Sequence, residues 1–314
     1  MNEKNIKLGI SREKFPALYL ASSQASQEAQ STYLKLTKLN LGLLVVGAIS
    51  SSVFITTDPN NPNLLLLQIR LLLSYVSALS LFVSLIVTVI LLLKKFEKTW
   101  YAGRAISESV KTVVWRYMMR AEPYGTSLSL SEADALLQKE LKLILEERKY
   151  LSGDIGGDYA QGAQITEEMR KARTSSVSVR KQMYIEDRVE NQKKWYNSKS
   201  KINKAAENTS YAVIGLSQLL ALFSAVVVIF YSNSWINPTG IFAAISAAFI
   251  AWTQLKQSHV LSQSYGMATH ELGLIATRSS SIQSNSALSD FVIDAENAIS
   301  REHTMWRAKR EQTD

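Results

Sequence analysis

Two pairs of long apolar runs constrain the fold of this chain more than any other feature of its sequence. They cover residues 41–57 and 71–93, then about 210–231 and 239–255. The second and third runs have roughly the 20 residues that a membrane-spanning helix needs, and neither contains a charged residue. Each shorter run adjoins a longer one across a brief turn, at TDPNNPN and SNSWINPTG. We therefore predict an all-α helical membrane protein with four spans in two hairpins, which continue into long cytoplasmic helices.

The positions of the basic residues predict the topology. Of 35 lysines and arginines, only Arg70 lies between residues 41 and 93, and none lies between 205 and 255. The opposite ends of the runs are flanked by Lys35, Lys38, Lys94, Lys95, Lys98, Lys199, Lys201, Lys204 and Lys256. The positive-inside rule then predicts that both termini and residues 94–208 are cytoplasmic. The net charge is +8, and the basic residues cluster beside the apolar runs. We therefore expect contact with the lipid bilayer and no nucleic-acid partner.

An internal repeat predicts two tandem units. Residues 33–40 (YLKLTKLN) and 196–203 (YNSKSKIN) share Tyr, Lys and Asn at an offset of 163 residues. The same offset aligns residues 103–108 (GRAISE) with 266–271 (GMATHE). We predict a first unit over 1–155, with cytoplasmic helices to about 151, and a second over 156–314. The boundary is expected in the glycine-rich stretch SGDIGGDYAQGAQ, residues 152–164.

Apolar residues at helical spacing predict the cytoplasmic helices. They are Leu137, Leu141 and Ile144 in one segment, Leu261, Tyr265, Ala268, Leu272 and Ile275 in a second, and Leu288, Val292, Ala295, Ile299 and Trp306 in a third. Residues 180–231 contain no helix breaker and predict one continuous helix of about 75 Å.

The segment 97–124, EKTWYAGRAISESVKTVVWRYMMRAEPY, predicts an amphipathic helix that ends at Pro123. One face carries Gly103, Ile106, Val110, Val113, Val114, Tyr117 and Ala121. Gly103 would permit the close approach of another helix. The opposite face carries Arg104, Glu108, Lys111 and Trp115. We predict that this polar face looks outward and contacts another protein; the alternative is a solvated helix face.

Several of these residues also carry a resemblance to a known family. In the first half they are Trp100, Gly103, Arg104, Glu108, Ser109, Lys111, Trp115, Arg116, Tyr117, Glu122, Pro123 and Tyr124. In the second half they are the run from Ile165 to Asn203, then Gly266, Glu271, Leu272, Phe291, Glu296, Glu302, His303 and Trp306. Over most of residues 30–125 and 165–310, the chain resembles a tandem pair of SLATT domains, which are two-transmembrane effector domains of bacterial conflict systems.

The resemblance implies a function in the inner membrane of a bacterium. Members of the family are expected to form homo-oligomers and pores, beside nucleotide-sensing partners in anti-phage systems. We therefore expect a pore-forming effector that responds to a cytoplasmic sensor protein or signal. The alternative is a non-conducting membrane anchor or adapter whose cytoplasmic helices recruit a sensor.

A stripe of hydroxyl side chains on the second span is a candidate pore lining. It consists of Ser77, Ser80, Ser84 and Thr88. Hydroxyls can line water because they both donate and accept hydrogen bonds, but small residues also serve close helix packing in membranes. The alanine-rich fourth run is expected to be a packing helix, and Gln218 to bond a neighbouring helix. Since no ionisable residue lies mid-span, any conduction should be weakly selective.

An enzyme is not predicted. His270 and Glu271 begin an HExxH pattern, but Leu274 takes the place of its second histidine. The three histidines are expected to be solvated or to link helices. The chain has no cysteine, which excludes thiolate metal ligands, and we predict neither cofactor nor metal.

Overall fold

The part of the chain that the computed structural model describes, residues 11–53, 63–147, 161–230 and 237–311, is helical and contains no β-sheet. Side chains are described to residue 300. In chain order the helices are α1 (Ala17–Ser51), α2 (Leu64–Lys94), α3 (Phe96–Met119), α4 (Leu130–Glu146), α5 (Glu167–Thr174), α6 (Val177–Tyr184), α7 (Asn191–Phe230), α8 (Thr239–Lys256), α9 (Ser258–Thr277) and α10 (Asn285–Glu311). The predicted all-α class is confirmed for these residues.

The helices form two compact units. The first, called the core unit here, comprises residues 1–30, 97–201 and 262–314, and the second, called the apolar unit, comprises 31–96 and 202–261. Each half of the sequence thus contributes to both units. The predicted boundary near residue 155 and the tips of both hairpins lie outside the described residues, at 148–160, 54–62 and 231–236.

One continuous helical segment runs from Val177 to Phe230, a length of 54 residues. It contains α6, a π-helical turn at Ile185–Glu190, and α7. The predicted continuous helix is confirmed up to residue 230, and at 1.5 Å per residue it is about 80 Å long. The sequence did not predict the π turn, in which the backbone closes over a wider ring than in an α-helix.

Three helices of the described chain, and not the predicted four, are long and apolar enough to cross a membrane. They are α1, α2 and the segment from Val177 to Phe230. The fourth predicted span does form a helix, α8, of only 18 residues. Its apolar character is reduced chiefly by Gln254 and by the charge of Lys256 near its end.

Within the apolar unit, α1 contacts both α2 and α8. Ser77 Oγ of α2 donates a hydrogen bond to the carbonyl oxygen of Gly47 at 3.2 Å. At one end of α8, a Cβ on Gly240 would lie 3.6 Å from Ser52 Oγ. At the other end, Lys38 Nζ lies 5.1 Å from the centre of the Trp252 ring. Helix α8 therefore follows α1 along most of its length, antiparallel to it.

Helix α3 ends four residues before Pro123, so the predicted end at this proline is wrong. The chain turns at Arg120, whose φ of 56° is left-handed. The Arg120 amide donates to the carbonyl oxygen of Tyr117, and the Ala121 amide to that of Arg116. This is the hydrogen-bond pattern of a Schellman motif, in which glycine usually takes the position of Arg120. An arginine in that position gives no sequence signal for a helix end.

The predicted apolar faces of the cytoplasmic helices form the interior of the core unit. Tyr117 and Val110 of α3, Leu137 of α4 and Val292 of α10 are fully buried in it. Leu141, Tyr265, Ala268, Leu272, Leu288, Ala295 and Ile299 are buried as well. These assignments are confirmed. Of the other predicted residues, Ile144 and Ile275 are partly buried against this interior, Leu261 is partly buried in the apolar unit, and the side chain of Trp306 lies outside the described residues.

Gly103 is the point of closest approach between α1 and α3. A Cβ there would lie 2.9 Å from the carbonyl oxygen of Ser22 and 3.1 Å from Ser26 Cβ. Ser26 Oγ also donates to the carbonyl oxygen of Trp100 at 2.8 Å. The predicted close approach of another helix is confirmed, and that helix is α1. In the second half, Gly266 of α9 faces α7 with more space. A Cβ there would lie 3.5 Å from Ser200 Oγ.

We expect Gly103→Ala to destabilise the full-length protein by about 1–3 kcal/mol, because backbone atoms of α1 cannot move aside for a methyl group. The matched control is Gly266→Ala. A Cβ there would lie at ordinary van der Waals distance from Ser200 Oγ, so the better helix propensity of alanine should leave stability equal or up to about 1 kcal/mol higher. Denaturant unfolding in detergent measures both, and equal effects would contradict this account of the α1–α3 contact.

Candidate functional site

The hydroxyl stripe predicted to line a pore faces α1 in the single chain. Ser84 Oγ donates to Asn40 Oδ1 at 2.6 Å, and Asn40 Nδ2 donates to Thr88 Oγ1 at 3.1 Å. Ser80 Oγ donates to the carbonyl oxygen of Val76 in its own helix. Ser77 bonds to α1 as described above, so each of the four hydroxyls makes a hydrogen bond within the chain. The packing alternative accounts for the stripe, and its pore-lining role stays a prediction.

The enclosed positions of the apolar unit are mostly serines. Its buried residues in the described chain are Gly47, Ser50, Ser52, Ser80, Ser84, Val87, Glu207, Ser210, Ser217, Ser224, Ser246 and Ser258. Large aliphatic and aromatic side chains of the same helices are exposed, among them Leu79, Phe82 and Phe223. A soluble protein has the reverse distribution, whereas membrane helices pack through small residues and expose apolar ones. The unit therefore has a hydroxyl interior and an apolar exterior.

Three serines on α7, spaced seven residues apart, contribute to this interior and were not predicted from the sequence. Ser210, Ser217 and Ser224 are each buried and lie seven residues apart. Residues at this spacing lie on one side of a helix, two turns from each other. The spacing was readable in the sequence, but its meaning depends on which side of α7 is enclosed.

Glu207 is a buried carboxylate near the start of the apolar part of α7. Its Oε1 lies 2.7 Å from His259 Nδ1, and its Oε2 accepts from Lys204 Nζ at 3.2 Å. His259 therefore links two helices, as predicted for the histidines. Both carboxylate oxygens of Glu207 thus have a partner, although the side chain is buried.

The outward position predicted for Trp115 is wrong. Its side chain is 2% exposed, and its ring lies 6.1 Å from that of Phe15 and 5.5 Å from that of Tyr184. Arg104, Glu108 and Lys111 are only partly exposed, and each has an interaction partner within the chain. The helical wheel failed because both faces of α3 are covered by other helices. A role of these residues in assembly stays a prediction, but Trp115 presents no surface for it.

Other residues of the family pattern also pack within the core unit. Tyr117 Oη donates to Asp134 Oδ1, and burial, followed by this hydrogen bond, raises the pKa of Tyr117. Arg116 Nη2 donates to Asn297 Oδ1 at 2.9 Å. Trp100 is buried beside α1.

In the second half, the ring of Phe291 lies 6.0 Å from that of Tyr184. Glu271 lines a surface groove between α9 and α10 with Leu274 and Asp294. The side chains of Glu302 and Trp306 lie outside the described residues.

The centre of the core unit is the carboxylate of Glu296, which accepts four hydrogen bonds. Arg188 donates two of them, from Nε at 2.8 Å and Nη2 at 2.7 Å. Tyr184 Oη and Thr112 Oγ1 donate the others, at 3.0 and 2.8 Å. Arg188 and Glu296 are at most 1% exposed. This network joins α3, α6, the π turn and α10, and the π turn supplies Arg188 to it.

Two further buried arginines stabilise the end of α3. Arg173 Nη1 donates to the carbonyl oxygens of Tyr117 and Tyr124, both at 2.9 Å. Arg180 Nη1 donates to that of Met119 at 2.5 Å. Cations are favoured here because the last carbonyl groups of a helix carry partial negative charge. Burial, followed by the charge of Arg120, lowers the pKa of Arg173.

The burial of three arginines in the segment 165–203 was not predicted, although the segment as a whole belongs to the family pattern. Arg173, Arg180 and Arg188 follow one another at intervals of seven and eight residues. Long charged side chains at such spacing usually indicate a solvated stripe, and nothing in this pattern places them inside. Glu296, by contrast, was included in the family pattern.

Comparison with known proteins identifies two domains in this chain. A family model described as "SMODS and SLOG-associating 2TM effector domain 3" matches residues 16–181. A second, described as "SMODS and SLOG-associating 2TM effector domain 1", matches residues 184–306. No curated protein and no solved structure matches the chain.

We expect Glu296→Gln to destabilise the full-length protein by about 3–5 kcal/mol, because Arg188 stays buried without its hydrogen-bonded counter-charge. The matched control is Asp294→Asn on the same helix. It removes an exposed ion pair with Arg278 and should cost less than about 1 kcal/mol. Denaturant unfolding in detergent compares the two variants. Similar values for both would refute the central role of the Arg188–Glu296 pair.

Proposed function

Because the chain belongs to the SLATT family of two-transmembrane effector domains and carries two of them in tandem, we propose that it permeabilises the bacterial inner membrane as an oligomer. The proposed context is a conflict response such as anti-phage defence, as the family description indicates. The core unit would lie in the cytoplasm, with both chain termini, and would receive the signal or the sensor protein that triggers opening.

The observation that carries the proposed conduction is the serine interior of the apolar unit. A helical bundle with hydroxyls inside and apolar side chains outside suits lipid on its exterior and water in its interior once the helices separate. No ionisable residue lies in the middle of the apolar runs. Such a path would discriminate among small ions only weakly.

Helix α8 supports the proposal of a fourth span, although it is shorter and less apolar than the other three. It follows α1 from Ser52 to Lys38. A helix packed along a membrane span over this distance would share its depth in the bilayer. Its lysine end would then lie with the other basic ends, on the cytoplasmic side.

Gln218 supports the proposal of an oligomer. It lies on the exposed surface of α7, in the middle of its apolar run, and makes no hydrogen bond within the described chain. The predicted bond to a neighbouring helix is therefore not made inside one copy. An amide in hydrocarbon is unfavourable without a partner, and amides of this kind hold membrane helices together. A second copy of the chain would supply the missing partner.

The alternative function, a non-conducting anchor or adapter, has one observation in its favour. Every hydroxyl of the α2 stripe is already bonded within the chain. In a bundle that stayed in this state, the α2 hydroxyls would require no water as hydrogen-bond partners. A trigger that admits water to the interior of the apolar unit would distinguish an effector from an anchor.

We expect purified protein in liposomes to release a small entrapped dye.

We also expect Gln218→Leu to weaken the assembly of the protein. An interhelical amide hydrogen bond contributes about 1–2 kcal/mol, so the association constant should fall about five- to thirtyfold per contact. Oligomer mass in detergent and cross-linking in nanodiscs measure this change. The control is Gln138→Leu, an exposed amide on α4 of the core unit, which should leave the oligomer unchanged.

Sealed liposomes with wild-type protein, in the presence and absence of the cytoplasmic signal, would contradict conduction and favour the anchor. A monomer in both detergent and lipid would contradict assembly.

A further inference from the structure

Three hydroxyl residues form a stripe along α8 that the sequence analysis did not identify. They are Thr239, Ser246 and Thr253, each seven residues from the next. At this spacing the three side chains lie on one side of the helix. Of the alanines that led us to expect a packing helix, Ala244 and Ala248 are partly buried, whereas Ala243, Ala247 and Ala251 are exposed.

The hydroxyl oxygens of this α8 stripe are enclosed and have no hydrogen-bond partner within the described chain. Ser246 is the most enclosed, with a side chain only 4% exposed. An enclosed hydroxyl without a partner costs about 1–3 kcal/mol. Three of them in a row are therefore unfavourable unless something outside the chain bonds to them.

Other hydroxyls of the apolar unit avoid this cost by bonding to the backbone. Ser80 donates to the carbonyl oxygen four residues earlier, and so do Thr88 and Ser52. Ser246 and Thr253 have the carbonyl groups of Phe242 and Phe249 at the same distance along their helix, yet neither bonds to them. Their hydroxyls remain available for another partner.

We propose that, once the helices separate, the α8 stripe lines a water-filled path through the apolar unit that admits hydrated ions and small polar solutes. Water is the partner whose chemistry fits, because a hydroxyl can both donate to it and accept from it, and enclosed polar groups left unsatisfied by protein are commonly bonded to water. This inference rests on the proposed function and names the helix that lines the path. The lining is α8, and the α2 stripe is a packing surface.

The length of the stripe suits a membrane path. From Thr239 to Thr253 the helix advances about 21 Å at 1.5 Å per residue, which is some two thirds of a hydrocarbon core of about 30 Å. The last turn brings the path to Trp252, beside which lie Lys38 Nζ and Lys256 Nζ, at 5.1 and 5.9 Å from the ring centre. The basic residues predicted to be cytoplasmic thus flank one end of it.

Thiol labelling tests the inference directly, because the chain has no cysteine and each variant carries a single thiol. Thr239→Cys, Ser246→Cys and Thr253→Cys are compared in liposomes with Ala243→Cys, Ala247→Cys and Ala251→Cys on the exposed side of the same helix. The probe is a charged methanethiosulfonate. It reacts with the thiolate, which forms in water and not in lipid, so the stripe should react about tenfold faster or more. Ser80→Cys and Ser84→Cys should react as slowly as the lipid-side positions.

The outcomes are distinct. Slow labelling of the α8 stripe, or faster labelling of the α2 positions, overturns the inference whether or not the liposomes release dye. Fast labelling of the stripe in liposomes that stay sealed leaves a hydrated α8 and overturns the proposed function. Labelling after denaturation gives the total thiol and corrects for protein that fails to insert.

A second variant tests the path without a thiol. Ser246→Leu should reduce dye release to background, because a large apolar side chain narrows and dries a pore. The matched control is Ala247→Leu, on the exposed side, which should release dye as the wild type does. Equal release from both leucine variants contradicts the assignment of the path to α8.

Discussion

The hydrogen-bonded pair of Arg188 and Glu296 is the interaction on which the core unit depends. A buried ion pair is stabilised when its remaining lone pairs and protons are hydrogen-bonded. Tyr184 and Thr112 complete the carboxylate, whereas Arg188 Nη1 is enclosed without a partner in the described chain. These hydrogen bonds bring α3, α6, the π turn and α10 together at one point. They also give a reason for the π turn, since a wider turn is what supplies Arg188 in a helix that otherwise continues without interruption.

The apolar unit follows the opposite rule. Its interior has few aliphatic side chains, so the exclusion of water from apolar surface does little inside it. Close packing of serines and glycine, and hydrogen bonds such as that between Ser84 and Asn40, hold it together instead. The two units therefore respond differently to substitution. The core unit should be sensitive to loss of charge or volume, and the apolar unit to side chains that are too large for its interior.

The sequence predicted those features that depend on local pattern. The helical class, the long helix to residue 230, the close approach at Gly103 and the family all follow from periodicity, from glycine or from motif residues. Features that depend on which side of a helix is covered were not predictable. Trp115 was placed outside because its neighbours on the wheel are charged, yet both faces of α3 are covered. The end of α3 was placed too late because Arg120 adopts the left-handed conformation that glycine usually takes at a helix end. For the candidate path, the sequence drew attention to α2, whose hydroxyls are conspicuous among leucines, and overlooked α8, where hydrogen bonding decides the matter.

The contact of α8 with α1 has a consequence for how the protein can assemble. These helices come from the two different family domains of one chain, so in a protein with a single such domain the same contact would have to form between separate molecules. Joined in one chain, the partners face each other at an effective concentration that dilution cannot lower, of millimolar order for short flexible connections. In the proposed oligomer, each chain would bring two such domains already in contact, so a given number of domains would assemble from half as many molecules.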